Sequence, residues 1–312
     1  DGDSSIYTGA PETLDDGIDQ DCDGGDDVTC VGDYDVTADS ASQIAALEYC
    51  AVITGYLSIY HNAALANVDV LSSLTDVGDL YISHNDALTN VDGLSSLTDV
   101  DALGFYFNVA LTNVDGLSSL TDVSVSLVIY DNAALTNVDG LSSLTYVGGD
   151  LKIYYNSALM NVDGLSSLTD VGSDMYIKFN DALTNVDGLS SLTDVSGRLV
   201  IYYNIALTNV DGLSSLTDVG ALYIENNAAL TNVDGLSSLT GVEILAFFSN
   251  TSLTDVDGLS SLTTVGSDLF IVDSDALTNV DGLSSLITVG DDLNISYNDA
   301  LCQDSVDDLI AA

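Results

Sequence analysis

The sequence of 312 residues carries 49 acidic and 3 basic side chains, a formal net charge of −46 at pH 7. This charge excludes nucleic acid and anionic membranes as electrostatic partners and favours cations. The chain starts at Asp1 and contains no signal peptide and no apolar run long enough to span a membrane. We therefore expect the mature form of a secreted protein, without direct membrane insertion.

Residues 1–29 form an acidic segment that we expect to bind calcium. Residues 19–24 place carboxylates at alternate positions before a glycine, as in the first half of an EF-hand-type loop, although Cys30 stands where the final acid is expected. The segment resembles the Asp-rich metal-binding motif of secreted bacterial proteins, but Leu14 replaces a second cysteine and the chain starts inside the first acidic cluster. The alternative is a disordered acidic leader. The predicted ligands are Asp1, Asp3, Asp15, Asp16, Asp19, Asp21, Asp23, Asp26 and Asp27.

Residues 30–52 are predicted to form an N-terminal cap. Residues 38–48 predict a short helix, with Ile44 and Leu47 three positions apart, that covers the open end of the repeats that follow. A disulfide between Cys30 and Cys50, which flank this helix, would hold the cap in place. The alternative is two free, buried thiols.

Residues 53–301 repeat one phrase with minor changes, Leu-Thr-Asn-Val-Asp-Gly-Leu-Ser-Ser-Leu-Thr-Asp-Val. The leucines that begin successive copies, from Leu65 to Leu301, are 23 or 24 residues apart. A period this short and strict is typical of a solenoid in which each unit stacks on the last. Each unit contains three short strand-like pieces, Leu-x-Ile, Leu-Thr-x-Val and Leu-Thr-Asp-Val, between Gly, Asn and Asp corners. We predict an all-β fold, a right-handed β-solenoid of about 11 coils with short helical caps.

The piece Leu-x-Ile-x-x-Asn recurs in each coil, for example at Leu57, Ile59 and Asn62, and Ser274 replaces the asparagine once. It resembles the core of leucine-rich repeats, in which the asparagine turns inward and bonds the backbone of adjacent coils. The whole unit resembles the receptor L-domain-like repeats of fungal and bacterial cell-surface proteins over residues 30–312. This resemblance implies the fold, a cap disulfide and an extracellular or cell-surface location in a bacterium, but no particular activity.

The outward positions of Leu-x-Ile-x-x-Asn hold most of the aromatic side chains. Exposed rings provide contact area at small entropic cost, which favours binding or self-association. The alternative is that the rings stack and stabilise the sheet. Lys152, Lys178 and Arg198 fall on or beside this surface, the only positive spot for an acidic partner. We name it the aromatic face; its predicted members are Tyr60, Tyr81, Tyr106, Tyr130, Tyr154, Tyr155, Tyr176, Tyr202, Tyr203, Tyr223 and Phe248.

An aspartate recurs at one corner of the coils, and neighbours about 4.8 Å apart repel by about 0.9 kcal/mol in water. We expect each carboxylate to cap its own turn by accepting backbone N–H groups; the alternative is a column of bound cations. His61 and His84 are equivalent in adjacent coils, but two imidazoles alone are a weak metal site. The Asp ladder comprises Asp69, Asp92, Asp115, Asp139, Asp163, Asp187, Asp211, Asp234, Asp257 and Asp281.

Residues 302–312 are predicted to close the solenoid with a C-terminal helical cap. Cys22 and Cys302 lie near opposite ends of the predicted rod, too far apart for an intrachain disulfide. Either both are free or each pairs with a thiol outside the chain, including a head-to-tail link to another copy.

No catalytic arrangement stands out, because the serines are generic corner residues and three bases are too few for a polysaccharide lyase cleft. We expect a non-enzymatic, calcium-stabilised extracellular structural or adhesive protein that self-associates into a filament or surface array or contacts other surface proteins. The alternative is a carbohydrate-binding adhesin that holds a polysaccharide on the aromatic face. Ice binding is less favoured because the two ranks of threonines lie nine residues apart, without the Thr-x-Thr pairing of flat ice-binding solenoids. The first rank comprises Thr89, Thr112, Thr136, Thr184, Thr208 and Thr231, and the second comprises Thr98, Thr121, Thr145, Thr169, Thr193 and Thr217.

Overall fold

The computed structural model describes residue 10 and residues 13–20, 25–37 and 41–311. Its strands are β1 (Val28–Cys30), β2 (Tyr34–Thr37), β3 (Cys50–Tyr60), β4 (Asp76–Ser83), β5 (Asp99–Tyr106), β6 (Asp122–Tyr130), β7 (Tyr146–Val147), β8 (Leu151–Tyr154), β9 (Asp170–Val171), β10 (Met175–Lys178), β11 (Asp194–Tyr202), β12 (Asp218–Glu225), β13 (Gly241–Val242), β14 (Ile244–Phe248), β15 (Thr264–Val265), β16 (Leu269–Val272), β17 (Thr288–Val289) and β18 (Leu293–Ser296). The α-helices are α1 (Ala41–Ala45) and α2 (Gln303–Ala311). Single-turn 3-10 helices lie at Asp69–Leu71, Asp92–Leu94, Asp115–Leu117, Asp139–Leu141, Asp163–Leu165, Asp187–Leu189, Asp211–Leu213, Asp234–Leu236, Asp257–Leu259 and Asp281–Leu283.

Most strands belong to one parallel sheet of 15 strands, which we name the main sheet. Met175 of β10 pairs with Leu151 of β8 on one side and with Leu199 of β11 on the other, so equivalent positions of successive coils stand side by side. Strands β13, β15 and β17 form a second, smaller parallel sheet. The predicted all-β solenoid with stacked coils and short helices is confirmed.

The one-residue difference in repeat length is absorbed at a single corner. In β5 two residues separate Val100 from Leu103, whereas in β6 three residues separate Val123 from Leu127. Val100 still pairs with Val123 and Leu103 with Leu127, with a register shift between them. The extra residue therefore changes one turn and leaves the stacking of the coils intact.

One of the three predicted strand pieces is wrong. Leu-Thr-x-Val forms no strand in the described residues and runs instead into a 3-10 helix, for example Asp163–Leu165. Asn161 Oδ1 accepts a hydrogen bond from the Asp163 N–H at 3.1 Å, and the Leu165 N–H donates to the Val162 carbonyl at 2.9 Å. The asparagine side chain thus bends the backbone where an extended strand would have to continue.

Each Asp-Gly-Leu turn needs a glycine because the backbone of the preceding coil passes too close to leave room for a side chain. A Cβ added to Gly164 would lie 1.8 Å from the carbonyl oxygen of Val138, far inside van der Waals contact. The first of these turns carries Val70 instead, and no 3-10 helix precedes it in the described part of the chain. Close approach of successive coils therefore explains both the recurring glycine and its one exception.

The core is a continuous column of aliphatic side chains enclosed by the coils. Leu159, Val162, Leu165 and Leu168 of one repeat are all 0% exposed. Apolar burial of this kind is the main stabilising contribution to folding. Because each coil presents part of its apolar surface to its neighbours, the coils depend on one another for this burial.

A buried column of asparagines, which we name the Asn ladder, links the coils. Asn156 Nδ2 donates to the Ile129 carbonyl at 2.9 Å, and its Oδ1 accepts the backbone N–H of Asn132 at 3.0 Å. Ser274 interrupts the ladder, and its buried hydroxyl has no hydrogen-bond partner among the described residues. The buried members of the ladder are Asn62, Asn85, Asn108, Asn132, Asn156, Asn180, Asn204, Asn227 and Asn250. Beyond Ser274 the ladder continues at half-buried Asn298, whose Nδ2 donates to the Ile271 carbonyl at 2.9 Å.

Helical elements lie at both ends of the repeats. At the N-terminal end, Cys30 and Cys50 form a disulfide with a Cα–Cα distance of 5.6 Å, and Leu47 is buried in the core. Residues 38–40 of the predicted helix lie outside the described residues. Helix α1 ends at Ala45, before the predicted end at residue 48, because the chain after Ala45 forms a turn in which the Cys50 N–H donates to the Leu47 carbonyl. At the C-terminal end, Val306 and Leu309 of α2 pack against the core.

Restoring the missing rung of the Asn ladder is expected to stabilise the protein. Ser274→Asn supplies an amide where the serine hydroxyl is unpartnered, and we expect a gain of about 1 kcal/mol in the free energy of unfolding. The matched variant Asn156→Ser creates the same interruption mid-ladder and is expected to cost about 1–3 kcal/mol. Urea melts followed by circular dichroism measure both; equal midpoints for the two variants and the native protein would contradict this role.

Candidate functional site

The aromatic face lies on the outer surface of the main sheet. Successive residues of a strand point to opposite faces, so in β8 Leu151 and Ile153 are buried while Lys152 and Tyr154 are half-buried. The predicted members of the face all lie on strands of the main sheet except Tyr155 and Tyr203, which directly follow β8 and β11. The sequence pattern therefore placed these side chains together on one surface.

The residue before each ladder asparagine adopts a left-handed backbone conformation. The φ angle is +57° at Tyr155, +55° at Phe179 and +55° at Tyr203. This conformation costs roughly 1–3 kcal/mol for most side chains and is tolerated best by Asn and Asp, as found at Asn226 and Asp273. An aromatic side chain is thus a costly choice here, which indicates a contribution from its ring.

Rings in neighbouring coils contact one another. Tyr155 and Phe179 stack with centroids 4.5 Å apart and planes inclined by 4°, and Phe179 lies 5.3 Å from Tyr203. The rings therefore do stabilise the sheet, as the alternative explanation holds. Tyr155 and Tyr203 nevertheless stay 43% exposed each, so the face is packed and also accessible to a partner.

His61 and His84 belong to the same column of rings. Their centroids are 4.7 Å apart, and His84 stacks on Phe107 at 4.7 Å. No group of three or more His, Cys, Asp or Glu side chains placed to hold a metal ion occurs in the part of the chain that the structure describes. The two imidazoles are thus engaged in ring contacts.

All three basic residues of the chain line one shallow cavity, which we name the cationic pocket. Strands β8, β10, β11 and β12 build it side by side on the aromatic face. Its volume is about 600 Å³, and its lining residues are Lys152, Tyr154, Tyr176, Lys178, Arg198, Val200, Tyr202, Tyr223 and Glu225. The sequence analysis placed the bases on or beside the face; the pairing of the strands gathers them into one cavity.

Two of the three bases are neutralised by neighbouring carboxylates. Lys152 Nζ lies 2.7 Å from Asp150 Oδ2, and Arg198 Nη2 lies 2.9 Å from Asp174 Oδ2. Burial tends to raise the pKa of Asp174, but hydrogen bonds from Arg198 and Tyr176 outweigh it and lower the pKa to about 2. Sequence reasoning missed both pairs, although the two-residue spacing of Asp150 and Lys152 was a signal that they share one face.

Lys178 is the one basic side chain that remains unpaired among the described residues. Its Nζ lies 4.1 Å from the centroid of the Tyr176 ring and 5.8 Å from that of Tyr154, so the ammonium group rests on aromatic faces. Burial lowers its pKa. Burial also raises the pKa of Tyr154 and, with the hydrogen bond to Asp174, raises the pKa of Tyr176 to about 12. Both phenols are therefore neutral at pH 7, and the Tyr176 hydroxyl donates its proton to Asp174.

The expected capping role of the Asp ladder is wrong. The side chain that bonds the turn is the asparagine two residues earlier, as Asn137 Oδ1 does for the Asp139 N–H at 3.1 Å. In the described residues only Asp281 of the ladder accepts a hydrogen bond at its carboxylate, from Ser305 at 2.7 Å. Partial burial, followed by the charges of Asp139 and Asp187, raises the pKa of Asp163. The ladder is thus a column of like charges.

The acidic N-terminal segment is only partly described. Asp1, Asp3, Asp21, Cys22 and Asp23 lie outside the described residues. Among the predicted calcium ligands in the described residues, Asp15, Asp16 and Asp26 accept hydrogen bonds that hold the N-terminal loop together.

Asp16 accepts hydrogen bonds from the Ile18 N–H at 2.8 Å and from Gln20 Nε2 at 2.7 Å. Asp15 Oδ1 accepts one from the Thr29 N–H at 3.3 Å. Asp26 Oδ2 accepts one from the Gly17 N–H at 2.9 Å, while its Oδ1 is buried without a partner among the described residues. One carboxylate oxygen of the loop is therefore buried without a hydrogen bond from the described residues, and the described acids by themselves form no group placed to hold a metal ion.

Both threonine ranks serve the stacking of the coils. Thr112 Oγ1 donates to the Thr89 carbonyl at 3.0 Å, and Thr193 Oγ1 donates to the Thr169 carbonyl at 3.2 Å. Because these hydroxyl protons are held by the protein backbone, the ranks offer fewer donors to ordered water. This arrangement gives no support to ice binding.

The comparisons with known proteins identify the family. The sequence matches the BspA type leucine-rich repeat region in six copies, over residues 57–183 and 180–296. This is more than half of the 312 residues, so the chain belongs to the BspA-type leucine-rich-repeat family. The resemblance to leucine-rich repeats drawn from Leu-x-Ile-x-x-Asn is confirmed, and such repeats generally form protein-interaction surfaces.

Other comparisons add little. The comparison with curated proteins gives no match. Among solved structures, the chain is similar to "Crystal structure of TLR13-ssRNA13 complex", with 12% identity and a TM-score of 0.15, over 86% of this chain and 66% of that one. The chain thus spans slightly less than two thirds of that protein, and its fold is established by the family match and the strand pairing. No described helix is long and apolar enough to cross a bilayer.

Removing one charge from the middle of the Asp ladder is expected to stabilise the protein. Asp163→Asn relieves repulsion from Asp139 and Asp187, for which we expect a gain of roughly 0.5–1 kcal/mol at low salt. The gain should vanish near 1 M salt, where the Debye length is ~3 Å. The gain should also fade as the pH drops through the raised pKa of Asp163. The carboxylate is then protonated in the folded native protein and no longer repels its neighbours, so the substitution has no charge left to remove.

Asp181→Asn is the matched control for Asp163→Asn. It removes the same charge in the same repeat, but the equivalent residues on either side are Ser157 and Ile205. Thermal melts at low and high salt should show no comparable gain for this control. A destabilised Asp163→Asn protein would instead indicate that the carboxylate is bound by a favourable partner.

Proposed function

We propose that this protein is a non-enzymatic, extracellular adhesive or structural repeat protein of the bacterial surface that contacts its partner through the aromatic face. The single observation that carries the proposal is the row of exposed rings at left-handed positions. Tyr155 and Tyr203 occupy backbone conformations that favour Asn or Asp, yet both stay accessible. Membership of a leucine-rich-repeat family supports a binding surface on the repeats.

Self-association into a filament or surface array is the first candidate interaction. Aromatic columns repeated in each coil offer an extended contact surface that a second copy or another surface protein can match. The net charge of −46 opposes contact between copies, so assembly would require cations to screen it. Cys302 is free and exposed, and it could add a covalent link with Cys22 of another copy.

Loss of two exposed rings is expected to abolish assembly. In the double variant Tyr155→Ser and Tyr203→Ser, the contact surface loses two anchors while the core is untouched. Negative-stain electron microscopy should show filaments or sheets for the native protein and dispersed particles for the variant. Tyr146→Ser, which removes an equally exposed ring from the short strand β7, should assemble normally.

Three results would bear on the assembly proposal in different ways. Dispersed native protein in the presence of calcium would overturn self-association. Filaments formed equally by the double variant would exclude the aromatic face as the contact. A ladder of oligomers on non-reducing gels that collapses on reduction would indicate the disulfide link, and a single monomer band under both conditions would remove it.

A second candidate is a carbohydrate-binding adhesin, which the cationic pocket favours. Tyr154, Tyr176, Tyr202 and Tyr223 surround a cavity of about 600 Å³, within the usual size of small-ligand sites. Tyrosine supplies both an apolar ring and a hydroxyl group, as a polysaccharide requires. Dispersed rods that bind a glycan array would favour this function over assembly.

We also propose that the N-terminal acidic segment binds calcium and stabilises the protein. Alternating carboxylates provide the oxygen ligands that calcium prefers, and the buried Asp26 Oδ1 supports the proposal because it has no hydrogen-bond partner among the described residues. Asp15, Asp16 and Asp19 lie in the same loop and would complete the ligand set together with the acids of residues 1–3 and 21–23.

Calcium is expected to raise the thermal stability of the native protein. At about 100 times the dissociation constant, the gain in the free energy of unfolding is ~2.7 kcal/mol. Melts with calcium, with magnesium and with chelator measure the shift; magnesium should act weakly because it dehydrates reluctantly. Asp26→Asn should lose most of the calcium-dependent shift, and an identical melt with and without chelator would overturn the proposal.

A further inference from the structure

The cationic pocket gathers the few positive charges of a strongly acidic chain, yet only one of them is available. All three bases of the chain lie in its described part. Lys152 and Arg198 are held by Asp150 and Asp174 at 2.7 and 2.9 Å. Lys178 has no ion-pair partner among the described residues and lies against the Tyr176 ring. An incoming anion would therefore meet one ammonium group that is already partly desolvated.

We propose that the cationic pocket binds a single carboxylated sugar residue of an otherwise neutral glycan, with the carboxylate on Lys178 and the sugar ring against the surrounding tyrosines. This rests on the proposed function, because it names a glycan as a partner of the aromatic face. A charge-assisted hydrogen bond from a half-buried ammonium group is stronger than a neutral one. The carboxylate is thus the group that Lys178 selects.

The tyrosines around Lys178 fit a sugar ring. In register across the sheet, Tyr154, Lys178, Tyr202 and Glu225 form one row, and Tyr176 and Tyr223 belong to the adjacent row. The rings supply flat apolar surfaces for the C–H faces of a sugar, and their hydroxyl groups supply hydrogen bonds. A cavity of about 600 Å³ has room for one or two sugar residues.

The charges around the pocket limit the ligand to one carboxylate. Lys152 and Arg198 are matched by Asp150 and Asp174, so Lys178 is the one ammonium group that an anion can neutralise. Glu225 stands two strands from Lys178 in the same row, and its negative charge acts on Lys178. Beyond the pocket the chain carries a net charge of −46. A polyuronate or heavily sulfated chain would leave the pocket and meet this negative field, whereas a neutral glycan with one acidic residue would not.

An acidic polypeptide could offer the same carboxylate, but the pocket favours the sugar. A second copy of this chain carries the same charge of −46 and is repelled as a whole. An aspartate side chain is also too small to contact the tyrosine rings on both sides of Lys178. A glycan residue joins the carboxylate and the ring in one rigid unit, which loses less entropy on binding.

Calorimetric titration of the full chain tests the assignment. The probes are sialyllactose, a glucuronosyl disaccharide and neutral lactose; the first two distinguish a sialate from a uronate as the source of the carboxylate. We expect one site per chain, with at least one acidic probe bound about tenfold more tightly than lactose. Lys178→Gln should bring that affinity down to the lactose level, and Glu225→Gln should strengthen it about twofold or more by removing a negative charge.

Controls keep the outcome decisive. Tyr146→Ser removes an exposed ring that belongs neither to the aromatic face nor to the lining of the pocket, so it should bind as the native protein does. Thermal melts should show that Lys178→Gln stays folded. The proposal is overturned if neither acidic probe binds better than lactose, if Lys178→Gln binds as the native protein does, or if an Asp-rich peptide or a polyuronate oligomer binds more tightly than the acidic probes.

The failure of this proposal is distinguishable from that of the proposed function. If assembly or adhesion depends on Tyr155 and Tyr203 while the acidic probes fail to bind, only the assignment of the pocket is lost. If the double variant at Tyr155 and Tyr203 also behaves as the native protein does, the aromatic face itself is excluded as the contact surface.

Discussion

The buried amide of the Asn ladder is the interaction on which the rest of the solenoid depends. Asn156 donates to the Ile129 carbonyl and accepts from the Asn132 N–H of the coil before it, and its own N–H donates to Asn180 Oδ1 of the coil after it. A buried amide left without these partners is costly. Each coil must therefore stand in one register relative to its neighbours, and the aliphatic core follows the same register.

A fixed register aligns each repeated residue with its equivalents in neighbouring coils. Some of the resulting columns are held by attractive contacts, and others place like charges side by side. On the main sheet it brings Tyr155 and Phe179 into stacked contact. At the 3-10 turns it sets Asp163 beside Asp139 and Asp187. Partial burial, followed by the charges of these two neighbours, raises the pKa of Asp163. The columns of rings and of carboxylates thus have one cause, and the surface chemistry of the protein is a consequence of its stacking.

The basic side chains of the protein stand at positions where the sequence departs from the repeat. Lys152, Lys178 and Arg198 replace the commoner outward residues in consecutive coils, and the sheet brings them into one cavity with four tyrosines. The repeated surfaces suit extended contact, whereas this cavity suits a compact ligand. A chain of near-identical coils can therefore combine an extended adhesive face with one specific site.

The repeat period of 23 or 24 residues determined the stacked parallel strands, because equivalent residues of successive coils must stand side by side. The alternation in Leu-x-Ile-x-x-Asn determined the shared surface of the tyrosines, and the resemblance to leucine-rich repeats implied the buried asparagines. Only the tertiary structure decided that Leu-Thr-x-Val bends into a 3-10 helix, that Asn137 rather than Asp139 bonds its turn, and that Lys178 alone remains unpaired among the described bases. These outcomes depend on distances between side chains of different coils. Spacing along the chain does not specify such distances, since several partners compete at each position.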